Sequence, residues 1–79
     1  MPRFFFNVYD TIDALDDEGF CLPDAAAARR EALLSARALI CEQVKLGTIN
    51  LSYRIEVLDE SGNTVLDLPY SAAVDIVDV

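Results

Sequence analysis

An α+β fold of two layers, with element order β-β-α-β-β, follows from three features of the 79-residue sequence. Apolar residues alternate with a period of two toward both ends of the chain. A single stretch between them carries a helix signature from its cap to a glycine stop. The direction the chain must take through that helix then orders the strands 2-1-3-4 in a mainly antiparallel four-stranded sheet.

Residues 3–9 read as the first strand, aromatic and β-branched and bounded by Pro2 and an Asp-rich stretch. Phe4, Phe6 and Val8 share one face, and Arg3, Phe5, Asn7 and Tyr9 the other. Residues 10–18 hold Asp10, Asp13, Asp16, Asp17 and Glu18 with no basic residue, which reads as a solvated loop framing a hairpin. A short second strand follows at 19–22.

Pro23 and Asp24 open the helix, Asp24 as the capping carboxylate and Pro23 as a residue suited to a first turn. The run Ala25, Ala26, Ala27, Ala28 has the highest helix propensity available. The helix should continue to Leu46 and stop at Gly47, a span of about 33 Å. Its expected core stripe is Ala25, Ala28, Ala32, Ala36, Leu39 and Ile40, with Leu33 alongside; the small residues let the helix lie close to a sheet. Ala26, Leu34, Cys41 and Val44 fall on the other flank and make the apolar arc wider than one sheet contact requires.

After Gly47, Leu51, Tyr53, Ile55 and Val57 alternate with Ser52, Arg54, Glu56 and Leu58 as a third strand. Residues 59–63 form a turn in which Gly62 is the left-handed residue of a bulged hairpin, and residues 64–68 return as a fourth strand that Pro69 ends. Beyond it, two arrangements stay open: a last helical turn through Ala72, Ala73 and Val74 capped by Ser71, or an edge strand containing Val74, Ile76 and Val79. The whole chain, residues 1–79, is one domain.

This layout puts the triple-Phe strand in the middle of the sheet and leaves a problem on the far side. One helix covers one face, while Phe5, Leu58 and Val65, with Tyr9 nearby, lie on the other. Either the C-terminal tail or a second subunit should cover them. Together with Leu34 and Cys41 on the wide helix arc, these residues are the candidate interface, and a homodimer is the expected staple for so small a core.

Composition narrows the function. The chain carries 14 acidic and 6 basic residues, a net charge of −8, no histidine and no tryptophan. That charge disfavours nucleic acid as a partner. Without histidine there is no Ser-His-Asp or Cys-His pair, no His-ligated metal and no imidazole base, so an enzyme is not expected, nor a cofactor. Nowhere do 18 apolar residues run together, so no membrane span is expected, and the start is too short for a signal peptide; a reducing cytoplasmic setting follows as the default.

The remaining chemistry has ordinary readings. Asp10, Asp13, Asp16 and Asp17 are candidate cation ligands, but the spacing before Gly19 places Ala14, and that before Gly62 places Val57, where a calcium-binding loop needs its first carboxylate. Cys21 precedes the helix start and Cys41 lies on its flank; both read as small buried hydrophobes. The pairs Asp16/Asp17 and Asp59/Glu60 read as turn residues rather than acid–base pairs. Arg29, Arg30 and Arg37 form a basic cluster on the helix able to meet an acidic partner or the protein's own acidic loop, and otherwise a solvated face. The leading expectation is a non-enzymatic, dimer-forming interaction or regulatory protein with an unidentified protein partner. The alternative is a small-cation or small-ligand module built on the acidic loop.

The opening Met1-Pro2-Arg3-Phe4-Phe5-Phe6, then Asp17-Glu18-Gly19, Leu22-Pro23-Asp24 before an Ala/Arg helix, Arg54-Ile55-Glu56-Val57, Asp59-Glu60-Ser61-Gly62 and Leu68-Pro69-Tyr70 together resemble a family of short proteobacterial and rhizobial proteins of unknown function. The resemblance spans nearly the whole chain and implies this fold and size, an intracellular or uncharacterised location, and no catalytic residues. Many relatives have His where this chain has Asn7.

Overall fold

Strand β1, Arg3–Tyr9, is the hinge of the architecture because its aromatic and β-branched residues serve both faces of a central strand. The structure is a computed structural model that describes residues 1–78. Four antiparallel strands, β1, β2 (Phe20–Cys21), β3 (Arg54–Leu58) and β4 (Thr64–Pro69), form a sheet of order β2-β1-β3-β4, crossed by one helix, α1 (Ala25–Lys45). The two-layer α+β fold and its strand order are those expected from the sequence.

The register separates the two faces. Phe6 faces Val57 and Val8 faces Ile55 across β1–β3, while Ile55 faces Leu68 and Val57 faces Leu66 across β3–β4. This inner face meets the helix, and Ile55 and Val57 are fully buried there with Phe4 and Leu68. The outer face pairs Phe5 with Leu58, Asn7 with Glu56 and Tyr9 with Arg54. A one-residue slip would exchange the two sets, so the hydrophobic pattern sets the register.

Asp24 caps the helix from an extended conformation, its carboxylate accepting the Ala27 N–H at 2.8 Å. At the other end Gly47 takes φ +85°, its N–H donating to the Val44 carbonyl and that of Thr48 to Gln43. These are the two bonds of a Schellman closure, and no atom lies within 4 Å of a Cβ built at Gly47, so the glycine is there for its backbone alone. The buried row is Ala28, Ala32, Ala36 and Ile40, joined by Ala27. Ala25, expected in this row, is exposed. Steps of four residues rotate the row by about 40° each, and traced back to the first turn it points toward Ala27. Cys41, one position past Ile40, and Cys21, on the two-residue edge strand, are both exposed free thiols rather than the buried hydrophobes expected.

Three elements are shorter than expected or resolved between alternatives. Strand β2 lacks Gly19, which turns at φ +74°, and Leu22, whose N–H donates to the Pro2 carbonyl outside the ladder. Strand β3 starts at Arg54 rather than Leu51, because residues 50–52 turn under an Asn50 side chain that accepts from the Ser52 N–H. The Leu51 and Tyr53 carbonyls instead accept from Ser71 and Tyr70 N–H groups. The tail takes the helical alternative, a 3-10 turn over Tyr70–Ala72 without a side-chain cap from Ser71. Tyr70 and Ala73 are buried, and Arg37 Nε donates to the Ala73 carbonyl at 2.8 Å. No strand forms at Val74 or Ile76, and Val79, the last residue of that alternative, lies outside the described residues.

Candidate functional site

The outer face of the sheet gathers most of the chain's unusual chemistry. Register sets Glu56 directly opposite Asp67, two like charges on neighbouring strands, an unfavourable pair if left alone. Each carboxylate has its own partners. Arg54 Nη1 donates to Asp67 Oδ1 at 3.1 Å; Tyr9 Oη and Thr64 Oγ1 donate to the two Glu56 oxygens at 3.1 and 3.2 Å. The Arg54 guanidinium also lies 4.3 Å from the centre of the Tyr9 ring, a cation–π contact. Desolvation, then the bond to Glu56, pushes the Tyr9 hydroxyl above its ordinary value, and the Asp67 hydrogen bond pushes Arg54 up. Tyr9 therefore remains a neutral donor and Arg54 a cation. The network holds these charges in place.

The apolar part of this face is Phe5, half-buried opposite half-buried Leu58, together with Val65. Val65 is the unpaired residue of a bulge between the Val57–Leu66 and Leu58–Thr64 pairs and is exposed. The tail, one of the two expected covers, does not lie over Phe5 among the described residues. The tail turns to the helix side, and Gly19 stands against Phe5 instead. A Cβ at Gly19 would come within 3.0 Å of the Phe5 ring and 2.7 Å of the Phe4 carbonyl.

That approach belongs to the acidic segment, which is structured along the free edge of β1. Val8 and Ala14 exchange two backbone hydrogen bonds of 2.8 Å. Between them and the β2 ladder, Asp16 fills the gap: its carboxylate accepts from the Phe6, Glu18 and Gly19 N–H groups at 3.1, 3.2 and 3.0 Å. Its own N–H donates to Asn7 Oδ1 at 2.9 Å, which accounts for a polar side chain only 7 % exposed on a sheet face. Partial burial opposes the Asp16 charge, and the Gly19, Phe6 and Glu18 donors, helped by nearby Arg3, outweigh it, so the carboxyl lies below its ordinary value. Sequence reasoning missed this latch because nothing in the spacing of five acids distinguishes Asp16 from its neighbours.

The other candidates are dispersed. Asp10 Oδ1 accepts the Ile12 N–H, while Asp13 and Asp17 are exposed. Among the described residues, no group of three or more His, Cys, Asp or Glu side chains is arranged to hold a metal ion. Asp59 accepts from Ser61 and Asn63 in the hairpin turn, and Glu60 from the Arg3 N–H. No ion pair joins the helix arginines to the acidic loop among the described residues; the loop lies on the β1 edge, beside Arg3. Leu34 and Cys41 are exposed on the helix, the opposite side of the molecule from Phe5, Tyr9, Leu58 and Val65, so the six interface candidates form two surfaces. No helix among the described residues is long and apolar enough to cross a membrane.

One cavity escaped the sequence reading. A cleft of ≈ 370 Å³ opens between the second half of α1 and the segment that leads into β3, with Gln43, Tyr53 and Tyr70 in its lining. Its residues come from four separate parts of the chain, and only folding brings them together.

Residues 3–71 match a family model described as Domain of unknown function (DUF6894), and the chain belongs to that family. No curated protein and no solved structure matches it.

Proposed function

We propose that this chain is a non-enzymatic interaction protein that pairs with a second copy of itself through the outer face of its sheet. The observation that carries the reading is surface left over. A compact monomer of this size exposes about 4,700 Å², and this chain exposes 5314 Å². Its radius of gyration of 13.1 Å likewise exceeds the roughly 11.6 Å of a compact chain of its length. The excess is about 600 Å², against the roughly 800 Å² that one partner contributes to a standard interface, and Val65 of the outer face is among the exposed apolar residues that supply it.

The outer face suits a two-fold contact. Leu58 and Val65 offer apolar area at one end, and Arg54 stands beside Glu56 and Asp67 at the other. Opposed across a two-fold axis, such a face presents its cation to the partner's acids. The free thiols Cys21 and Cys41 suit a reducing cytoplasm. The acidic-loop module is the weaker reading because Asp16, at its centre, already accepts three backbone hydrogen bonds. Sedimentation equilibrium of the purified chain at tens of micromolar tests the proposal. A two-fold mass that Leu58→Glu reduces to monomer, and Leu34→Glu does not, supports it; a monomer throughout refutes it.

A further inference from the structure

The outer side of α1 carries a regularity of its own. Ala28, Ala32, Ala36 and Ile40 form the row buried against the sheet. The row offset from it by two residues, Ala26, Arg30, Leu34, Ala38 and Glu42, ending on Leu46 at the cap, is exposed at every position. Two residues turn an α-helix by about 200°, so this second row faces away from the sheet. Leu34 there is 59 % exposed and Leu46 86 %. Read from both ends, the row is complementary to itself. About a midpoint level with Ala36, Ala26 matches Leu46, Arg30 matches Glu42 and Leu34 matches Ala38: small with large, basic with acidic, large with small.

We propose that α1 docks antiparallel on the α1 of a second copy, about a two-fold axis level with Ala36. Leu34 of each copy then sits over Ala38 of the other, and Arg30 of each pairs with Glu42 of the other. A two-fold contact presents the same patch from both sides, so a row that matches itself in reverse is what such a contact requires. Rows four residues apart are the ridges of the commonest class of helix packing, and a leucine opposite an alanine lets two such ridges interdigitate. The two charges are free for this use. Among the described residues Arg30 is in no ion pair, and Glu42 holds only Lys45, an exposed contact of 3.0 Å that a partner's arginine can share. The contact lies on the opposite side of the molecule from Leu58 and does not depend on the sheet face. It is small, so it forms at hundreds rather than tens of micromolar.

Sedimentation equilibrium of two charge variants and of their mixture tests the proposal, with Leu58→Glu added to each so that the sheet contact is removed. Arg30→Glu sets a glutamate against the partner's Glu42, and Glu42→Arg sets an arginine against the partner's Arg30. Each variant alone should therefore stay monomeric at about 300 μM. Mixed one to one, every pair is again basic with acidic, and the mixed dimer should form about tenfold tighter than either variant with itself. Net charge alone predicts a different order. Glu42→Arg makes the chain less negative, so on that ground this variant by itself would associate best. Without Leu58→Glu the mass should likewise rise on mixing, so the comparison holds even where that substitution unfolds the chain. Leu34→Glu in both variants should abolish the rise. Three results each overturn the proposal: no rise on mixing, a single variant that associates as tightly as the mixture, or a mixed dimer indifferent to Leu34→Glu.

Discussion

Asp16 is one of five acids in nine residues, and it does what the other four do not. Its carboxylate closes the β1 edge by accepting three backbone N–H groups, one of them from Phe6 inside the strand. Asp16→Asn keeps the shape and replaces one acceptor oxygen by a donor, so it should cost about 1–3 kcal/mol in urea unfolding at neutral pH. The pH dependence follows from the lowered carboxyl. With a folded value below the ordinary 3.8, the Asp16 contribution is complete above that pH and is lost as pH falls through the folded value. The stability gap between parent and Asp16→Asn should therefore narrow at pH 3 and below; a gap independent of pH contradicts the latch. Asn7 and Gly19 belong to the same assembly. Asn7 reads in the sequence as an ordinary polar strand residue, and its burial became visible only with the loop folded over it.

The helix shows how far local chemistry carries. Cap, alanine row and glycine stop are all written in contiguous residues; the cap and the stop lie where the sequence puts them, and the row does so from Ala28 onward, with Ala27 rather than Ala25 buried in the first turn. Asp24→Ala removes the bond to the Ala27 N–H and should cost about 0.5–2 kcal/mol in thermal unfolding. Ala32 is fully buried where the helix comes close to the sheet, so Ala32→Leu should destabilise by about 1–3 kcal/mol through overpacking, against little change for Ala38→Leu on the exposed side. Equal effects at the two positions would contradict the packing. The strands were legible in the same way, since a period of two specifies their faces, and the register of β1 on β3 follows. The boundaries at Leu51 and Gly19 were not legible, because they depend on bonds to the tail and on contact with Phe5. The cover over Phe5 was missed for a related reason: an acidic stretch with no periodicity reads as solvated, and only tertiary hydrogen bonds show otherwise.

At the scale of the whole molecule, two layers and 79 residues leave more surface than a chain of this length ordinarily exposes. Charge sets the terms on which that surface can be used. Two copies each carrying −8 repel, and screening shortens the range of that repulsion to about 10 Å at 0.1 M salt. Repulsion between two net charges of −8 outweighs the single Arg54 contact that each copy makes to its partner's acids, so self-association through the sheet should strengthen as salt rises. Attachment of this acidic chain to a basic surface on another protein would weaken instead, so the direction of the salt response separates the two modes.

Sedimentation equilibrium across a series of salt concentrations tests the central claim most directly. The prediction is a dimer at tens of micromolar that tightens as salt is raised and that Leu58→Glu abolishes while the variant stays folded. A monomer at every salt concentration, or a dimer indifferent to Leu58→Glu, would contradict it.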